Sequence, residues 1–154
     1  MPSSSHSRAD LDDAEQIYVF VQHLGRRLRE IDTRGGLTPA RFSALASLRF
    51  HGSKNIGELA ADERVKPPSM TRLARDMRRD GLITVSPDPD DGRGVLVEMT
   101  VKATRQFDSI RTEKIGFVAD YLATLPPELR AAIRDAFAAL EELGDPTEAD
   151  ATPR

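Results

Sequence analysis

Leu11, Ala14, Ile17, Val21, Leu24, Leu28 and Ile31 recur at steps of three and four residues, which places them on one stripe of a helix. This pattern predicts a long amphipathic first helix, ended by Gly35-Gly36. Thr38-Pro39 opens a second helix through Phe42, Leu45 and Leu48, with Gly52 as its stop. Beyond the middle of the chain, Thr100 is placed to cap a helix carrying Phe107, Ile110, Phe117 and Tyr121. Pro126-Pro127-Glu128 then starts a last helix in which Leu129, Ile133, Ala136, Leu140 and Leu143 repeat at 4-3-4-3 spacing, a narrow apolar seam.

The central segment has shorter periods. Ile56 to Ala61 reads as a short amphipathic helix, and Asp62 to Lys66 as a turn whose Val65 can plug the angle to the next helix. That next helix runs from Lys66 to Gly81. Leu82-Ile83-Thr84-Val85 and Val95-Leu96-Val97-Glu98-Met99 are β-type runs, the second alternating with Val95, Val97 and Met99 on one face. Between them, Ser86 to Gly94 is rich in Pro, Gly and Asp and reads as a hairpin loop. A helix-turn-helix followed by a two-stranded hairpin is a winged helix, so the fold class is mainly α (α+β), with long helices at both ends.

The helix from Lys66 carries the chemistry of a DNA-reading element. Pro67 or Pro68 suits the first turn, where the missing N–H costs nothing. Ser69 and Thr71 can approach base edges or phosphates, and Arg72, Arg75, Arg78 and Arg79 offer charge and forked donors. The formal net charge of −3 argues against a nucleic-acid binder, but its distribution reverses that inference. From Arg64 to Asp80 there are six cations against two carboxylates, a local charge of +4 that steers DNA to one face. Each assignment has a structural alternative. Arg78 and Arg79 also suit the C-terminal end of a helix dipole, and Ser69 and Thr71 can bond to their own backbone.

At these residues the chain resembles the MarR family of bacterial transcription regulators, over roughly Asp10 to Leu143. Asp88-Pro89-Asp90-Asp91-Gly92-Arg93 is similar to the family's wing signature, and Val65 to Arg72 to its recognition-helix opening. Met99-Thr100 stands where the family has Leu-Thr before the next helix. The resemblance implies that Arg93 reaches the minor groove and Asp91 orients it. It also implies DNA contacts at Arg72 and Arg75, so the expected set is Lys66, Pro68, Ser69, Thr71, Arg72, Arg75, Asp91 and Arg93. Four departures stand out: Lys66 where an N-capping serine is usual, Val85 for an arginine, Gly92 for a second basic wing residue, and Ala103 for a glycine. Losing the cap costs about 1 kcal/mol, which a phosphate contact at Lys66 would offset.

The two long stripes cannot both be buried on one small winged helix, so a homodimer is expected. An intramolecular bundle is the alternative. The expected organisation is a flexible tail over 1–9, dimerisation helices over 10–34 and 101–143, a winged domain over 37–100, and a second tail over 144–154. There is no cysteine, hence no disulfide or thiol switch, and His6, His23 and His51 are too far apart in sequence for a helical metal-ligand pair. No metal, cofactor, membrane span or signal peptide is expected, and the location expected is cytoplasmic.

The function expected is that of a homodimeric regulator, a repressor on a palindromic operator, with no enzymatic activity. By resemblance it is released by a small aromatic or phenolic effector in a pocket drawn from Tyr18, His23, Arg26, Phe42 and Phe107. Two alternatives stay open: a constitutive DNA binder without effector, and a small helical ligand-binding protein or enzyme. For the last, no nucleophile–base pair or phosphate-binding glycine loop stands out.

Overall fold

The computed structural model describes residues 7–88 and 94–142. In chain order the elements are α1 (Arg8–Arg34), α2 (Pro39–His51), β1 (Lys54–Asn55), α3 (Ile56–Asp62), α4 (Pro67–Arg79), β2 (Ile83–Pro87), β3 (Val95–Met99), α5 (Val101–Ala123) and α6 (Pro127–Glu142). The chain divides into two compact units, residues 1–114 and 115–154.

Helix boundaries in the first unit follow local chemistry. α1 begins at Arg8 rather than after Ala9, because Ser7 and Asp10 form a reciprocal capping box that draws the chain into the helix earlier than its apolar stripe does. Thr38 accepts from the Arg41 N–H with Pro39 in the first turn, and Asn55 forms a second capping box with Glu58. Lys66 caps α4 without a side-chain hydrogen bond, as its chemistry requires.

Three helices end on one device. Leu37, Val65 and Leu82 donate their N–H groups back to the carbonyls of Asp32, Ala60 and Met77, while the residue before each donates to Thr33, Ala61 and Arg78. This is the paired closure of a Schellman motif, which needs a left-handed residue at its centre. Gly36 and Gly81 supply it without strain, whereas Arg64 adopts φ 51° in the turn of the helix-turn-helix. The turn therefore owes its shape to backbone closure. Val65 remains 42% exposed instead of plugging the interhelical angle, although Leu37 and Leu82, which make the same closure, are buried.

The three strands form one antiparallel sheet in the order β1-β3-β2, with Lys54 opposite Val97 and Ile83 opposite Met99. β1 is too short to produce alternation and was not legible in the sequence. The hairpin is also longer than the loop composition implied: Ser86 and Pro87 belong to β2, opposite Leu96 and Val95. Pro87 is tolerated because β2 is an edge strand. Leu82 lies outside the strand, closing α4 instead. The Asp88 N–H donates to the Gly94 carbonyl at 3.0 Å, bringing the ends of the loop together.

Leu37, Leu45, Leu59, Met70, Met77, Val97 and Phe107 form the fully buried centre of this unit. The α1 stripe joins it only at its far end. Ile31 is buried and Leu24 and Leu28 half-buried, while Leu11, Ile17 and Val21 are exposed. In the second unit, Leu129 and Leu140 of the α6 seam are exposed together with Phe137, and Ile133 is half-buried. Leu143 and the C-terminal tail lie outside the described residues. Among the described residues no helix is long and apolar enough to cross a membrane.

Candidate nucleic-acid interface

α4 has two chemically distinct faces. Met70, Ala74 and Met77 are buried against the winged core, while Pro68, Ser69, Thr71, Arg72 and Arg75 are exposed. At helical spacing Pro68, Thr71, Arg72 and Arg75 fall within an arc of about 100°. That arc is opposite the methionines, so burial of the apolar side dictates which residues face outward.

The charges on this face differ in availability. Among the described residues neither Arg72 nor Arg75 has a carboxylate within 4.0 Å, so both guanidinium groups keep their donors for an external acceptor. Arg79 is engaged with Asp76 and Asp80 at 3.3 Å each, which favours its local role. The Thr71 hydroxyl donates to the Pro67 carbonyl at 2.9 Å, leaving its oxygen free to accept but not to donate. Lys66 and Pro68 are exposed at the opening of the helix. Asp91 and Arg93 lie outside the described residues.

Sequence reasoning missed the residues that hold α4 from behind. Arg41 of α2 places its Nη2 2.7 Å from Asp80 Oδ2, and Lys102 of α5 donates to the Asp80 carbonyl at 2.9 Å. The Arg41 guanidinium, then Arg79, hold the Asp80 carboxyl below the usual carboxylate range. Thr100 donates to the Gly81 carbonyl at 2.8 Å and caps the start of α5 by accepting from Ala103. Nothing in the local sequence signals these partners, which come together only through the fold.

Among the described residues, those expected around an effector fall at separate places. Phe42 and Phe107 stack at 4.6 Å, and the Lys114 ammonium sits 3.5 Å from the Phe42 centroid while pairing with the buried Asp32. Tyr18 is 62% exposed on α1. His23 lines an open groove with Asp12, Glu15, Gln16, Val19 and Phe20, and Arg26 lines another with Arg29, Glu30, Thr33 and Arg34.

Comparison with known proteins agrees with this architecture. Residues 37–95 match the model of the MarR family. An uncharacterised HTH-type transcriptional regulator of Mycobacterium leprae is 32% identical over 132 residues, covering 86% of this chain and 92% of the relative. The chain belongs to the MarR family. It is accordingly a DNA-binding transcriptional regulator.

The HTH-type transcriptional repressor MdtR of Bacillus subtilis is 29% identical over 128 residues, 83% of this chain and 81% of the repressor. A MarR family protein from Bacillus stearothermophilus shares the fold with a TM-score of 0.79 and 22% identity, covering 90% of this chain and 97% of the other. NadR in complex with 4-hydroxyphenylacetate has the same fold at a TM-score of 0.63 and 20% identity, covering 91% of this chain and 97% of NadR.

Proposed function

We propose that this MarR family regulator is a homodimeric, cytoplasmic repressor that reads a palindromic operator with α4 and the wing and releases it on binding a small aromatic or phenolic ligand. The observation that carries the reading is the outward face of α4, where Arg72 and Arg75 are exposed above a buried methionine face and, among the described residues, have no carboxylate partner. In this reading Arg72 and Arg75 contact bases or phosphates, Ser69 and Thr71 approach the groove closely, and Lys66 and Pro68 meet the backbone at the helix opening. Arg93 enters the minor groove with Asp91 orienting it.

Dimerisation is inferred from apolar side chains that a single chain leaves at its surface: Leu11, Ile17 and Val21 on α1, and Leu129 and Leu140 on α6. A second chain over residues 10–34 and 101–143 would bury them and set two reading heads about one helical turn of DNA apart. The winged domain over 37–100 then acts as the reading unit, with no reaction implied. The effector reading takes support from NadR's ligand. Since Phe42 and Phe107 are packed together in one chain, a pocket uniting them with Tyr18, His23 or Arg26 would need the dimer or a shifted α1.

The test is a fluorescence-anisotropy titration on operator DNA selected by retention on the purified protein. Arg72→Ala or Arg75→Ala should weaken binding by about 1–3 kcal/mol and relax preference at one base position. Wild-type affinity in both variants across a salt series would remove α4 from the interface. Sedimentation at micromolar concentration should show a dimer, and a well-behaved monomer would contradict the assembly. Aromatic acids and phenols should raise the melting temperature and lower operator affinity together, a tenfold loss corresponding to about 1.4 kcal/mol of coupling. A panel that does neither leaves a constitutive binder.

A further inference from the structure

A recognition helix reads DNA only if its position relative to the rest of the protein is fixed, and the C-terminal end of α4 is fixed from two sides. Asp80 follows the last residue of α4, where helix carbonyls lack intrahelical partners. Its carboxylate receives Arg41 from α2, and its own carbonyl receives Lys102 from the first turn of α5. The Arg41 side chain is 19% exposed and the Asp80 side chain 37%, so the pair is open to solvent on the Asp80 side and acts here as a geometric link between α2 and the end of α4. Thr100, which caps α5, grips the neighbouring Gly81 and Leu82 carbonyls, so α5 cannot rotate without moving the end of α4.

We propose that Asp80 is a positioning residue for DNA reading: clamped between Arg41 and Lys102, it sets the tilt at which α4 presents Arg72 and Arg75 to the groove. The proposal rests on α4 being the reading helix. It makes Asp80 favourable to operator binding although its charge is of the wrong sign for DNA.

That opposition of sign supplies the test. Asp80→Asn keeps the size and an acceptor oxygen but removes one negative charge from a segment of local charge +4. If Asp80 mattered only through long-range charge, the variant would bind every duplex more tightly. Positioning predicts about a tenfold loss on the operator, the scale of a charge-assisted hydrogen bond, with affinity for a random-sequence duplex unchanged or higher. Arg41→Met should lower the operator-to-random ratio likewise and Arg41→Lys should restore part of it. Lys102→Met tests the carbonyl arm without touching the carboxylate.

Full-length variants are compared by anisotropy on both duplexes, with circular dichroism confirming the helical fold. Operator affinity at or above wild type in Asp80→Asn overturns the proposal. So does an equal fall on both duplexes accompanied by loss of helical signal, which marks a purely structural role. Arg72→Ala, run alongside, separates the two layers. If it retains operator affinity, the reading-helix assignment fails and the proposal with it. If it is damaged beside an intact Asp80→Asn, the positioning role alone fails.

Discussion

Replacing Gly35 by alanine inserts one methyl group where the structure has no room for it. The added Cβ would lie 2.3 Å from Ile110 Cγ1 and 2.5 Å from Ile110 Cδ1, against an ordinary carbon contact of about 3.5–4.0 Å. Backbone strain does not contribute, since Gly35 has φ −73° and ψ 0°, open to any residue. Relief by sliding α1 away from α5 is opposed by the Gln106 amide, which donates to the Gly35 carbonyl at 2.8 Å, and by the Arg34–Glu113 pair at 2.8 Å. Ile110 itself is 3% exposed and has little space to turn into. Overpacking of this kind costs about 1–3 kcal/mol. Gly→Ala at a compatible φ recovers about 0.4–1 kcal/mol by restricting the unfolded chain, so a net loss of about 1–2 kcal/mol is expected.

Urea unfolding followed by circular dichroism measures this loss. Protomer concentration must be held constant, because the stability of an associating chain depends on it. The decisive comparison is with Ile110→Ala, which removes both clashing carbons and alone costs about 2–5 kcal/mol. In that background the clash is gone and Gly35→Ala should stabilise by about 0.4–1 kcal/mol, giving a coupling of about 1–3 kcal/mol. A Gly35→Ala protein as stable as wild type, or a strictly additive double variant, would refute the reasoning.

Asp62→Ala should destabilise the winged domain by about 1–3 kcal/mol, because the buried Ser47 hydroxyl and the Lys54 ammonium at 2.9 Å lose their acceptor. Ser47, and then Lys54, hold the Asp62 carboxyl below its ordinary value, so its contribution is complete above the unfolded pKa of about 3.9 and lost as pH falls through the lower folded value. Thermal scans of wild type and Asp62→Ala should therefore converge in acid, and a constant difference down to pH 2 would sink this account. In the wing, Arg93→Ala and Asp91→Asn should both weaken operator binding while Asp90→Asn leaves it unchanged or improved. Negligible effects at Arg93 and Asp91 in anisotropy titrations would remove the wing from the mechanism.

Apolar spacing and start and stop residues located α1, α2, α3, α5 and α6, and the proline opening located α4, because such signals act within a turn or two of the backbone. The set Pro68, Thr71, Arg72 and Arg75 was singled out by side-chain chemistry and by resemblance, and the fold supplies the reason they share an outward face: burial of Met70, Ala74 and Met77 leaves them no other side. Capping residues were legible at Gly35, Thr38, Gly52 and Thr100, and missed at Ser7 and Asn55, whose reciprocal partners lie three residues on. Tertiary structure decided the rest. β1 exists only because β3 pairs with it, and two residues carry no alternation to read. Arg41 meets Asp80 across 39 residues of sequence, and Gln106 meets Gly35 across 71. Such contacts arise from the packing of helices that are distant in the chain, and no local spacing encodes them. The α1 stripe looks uniform in sequence, yet the fold buries Ile31 and leaves Leu11, Ile17 and Val21 exposed, since the single winged domain reaches only the helix's last turns.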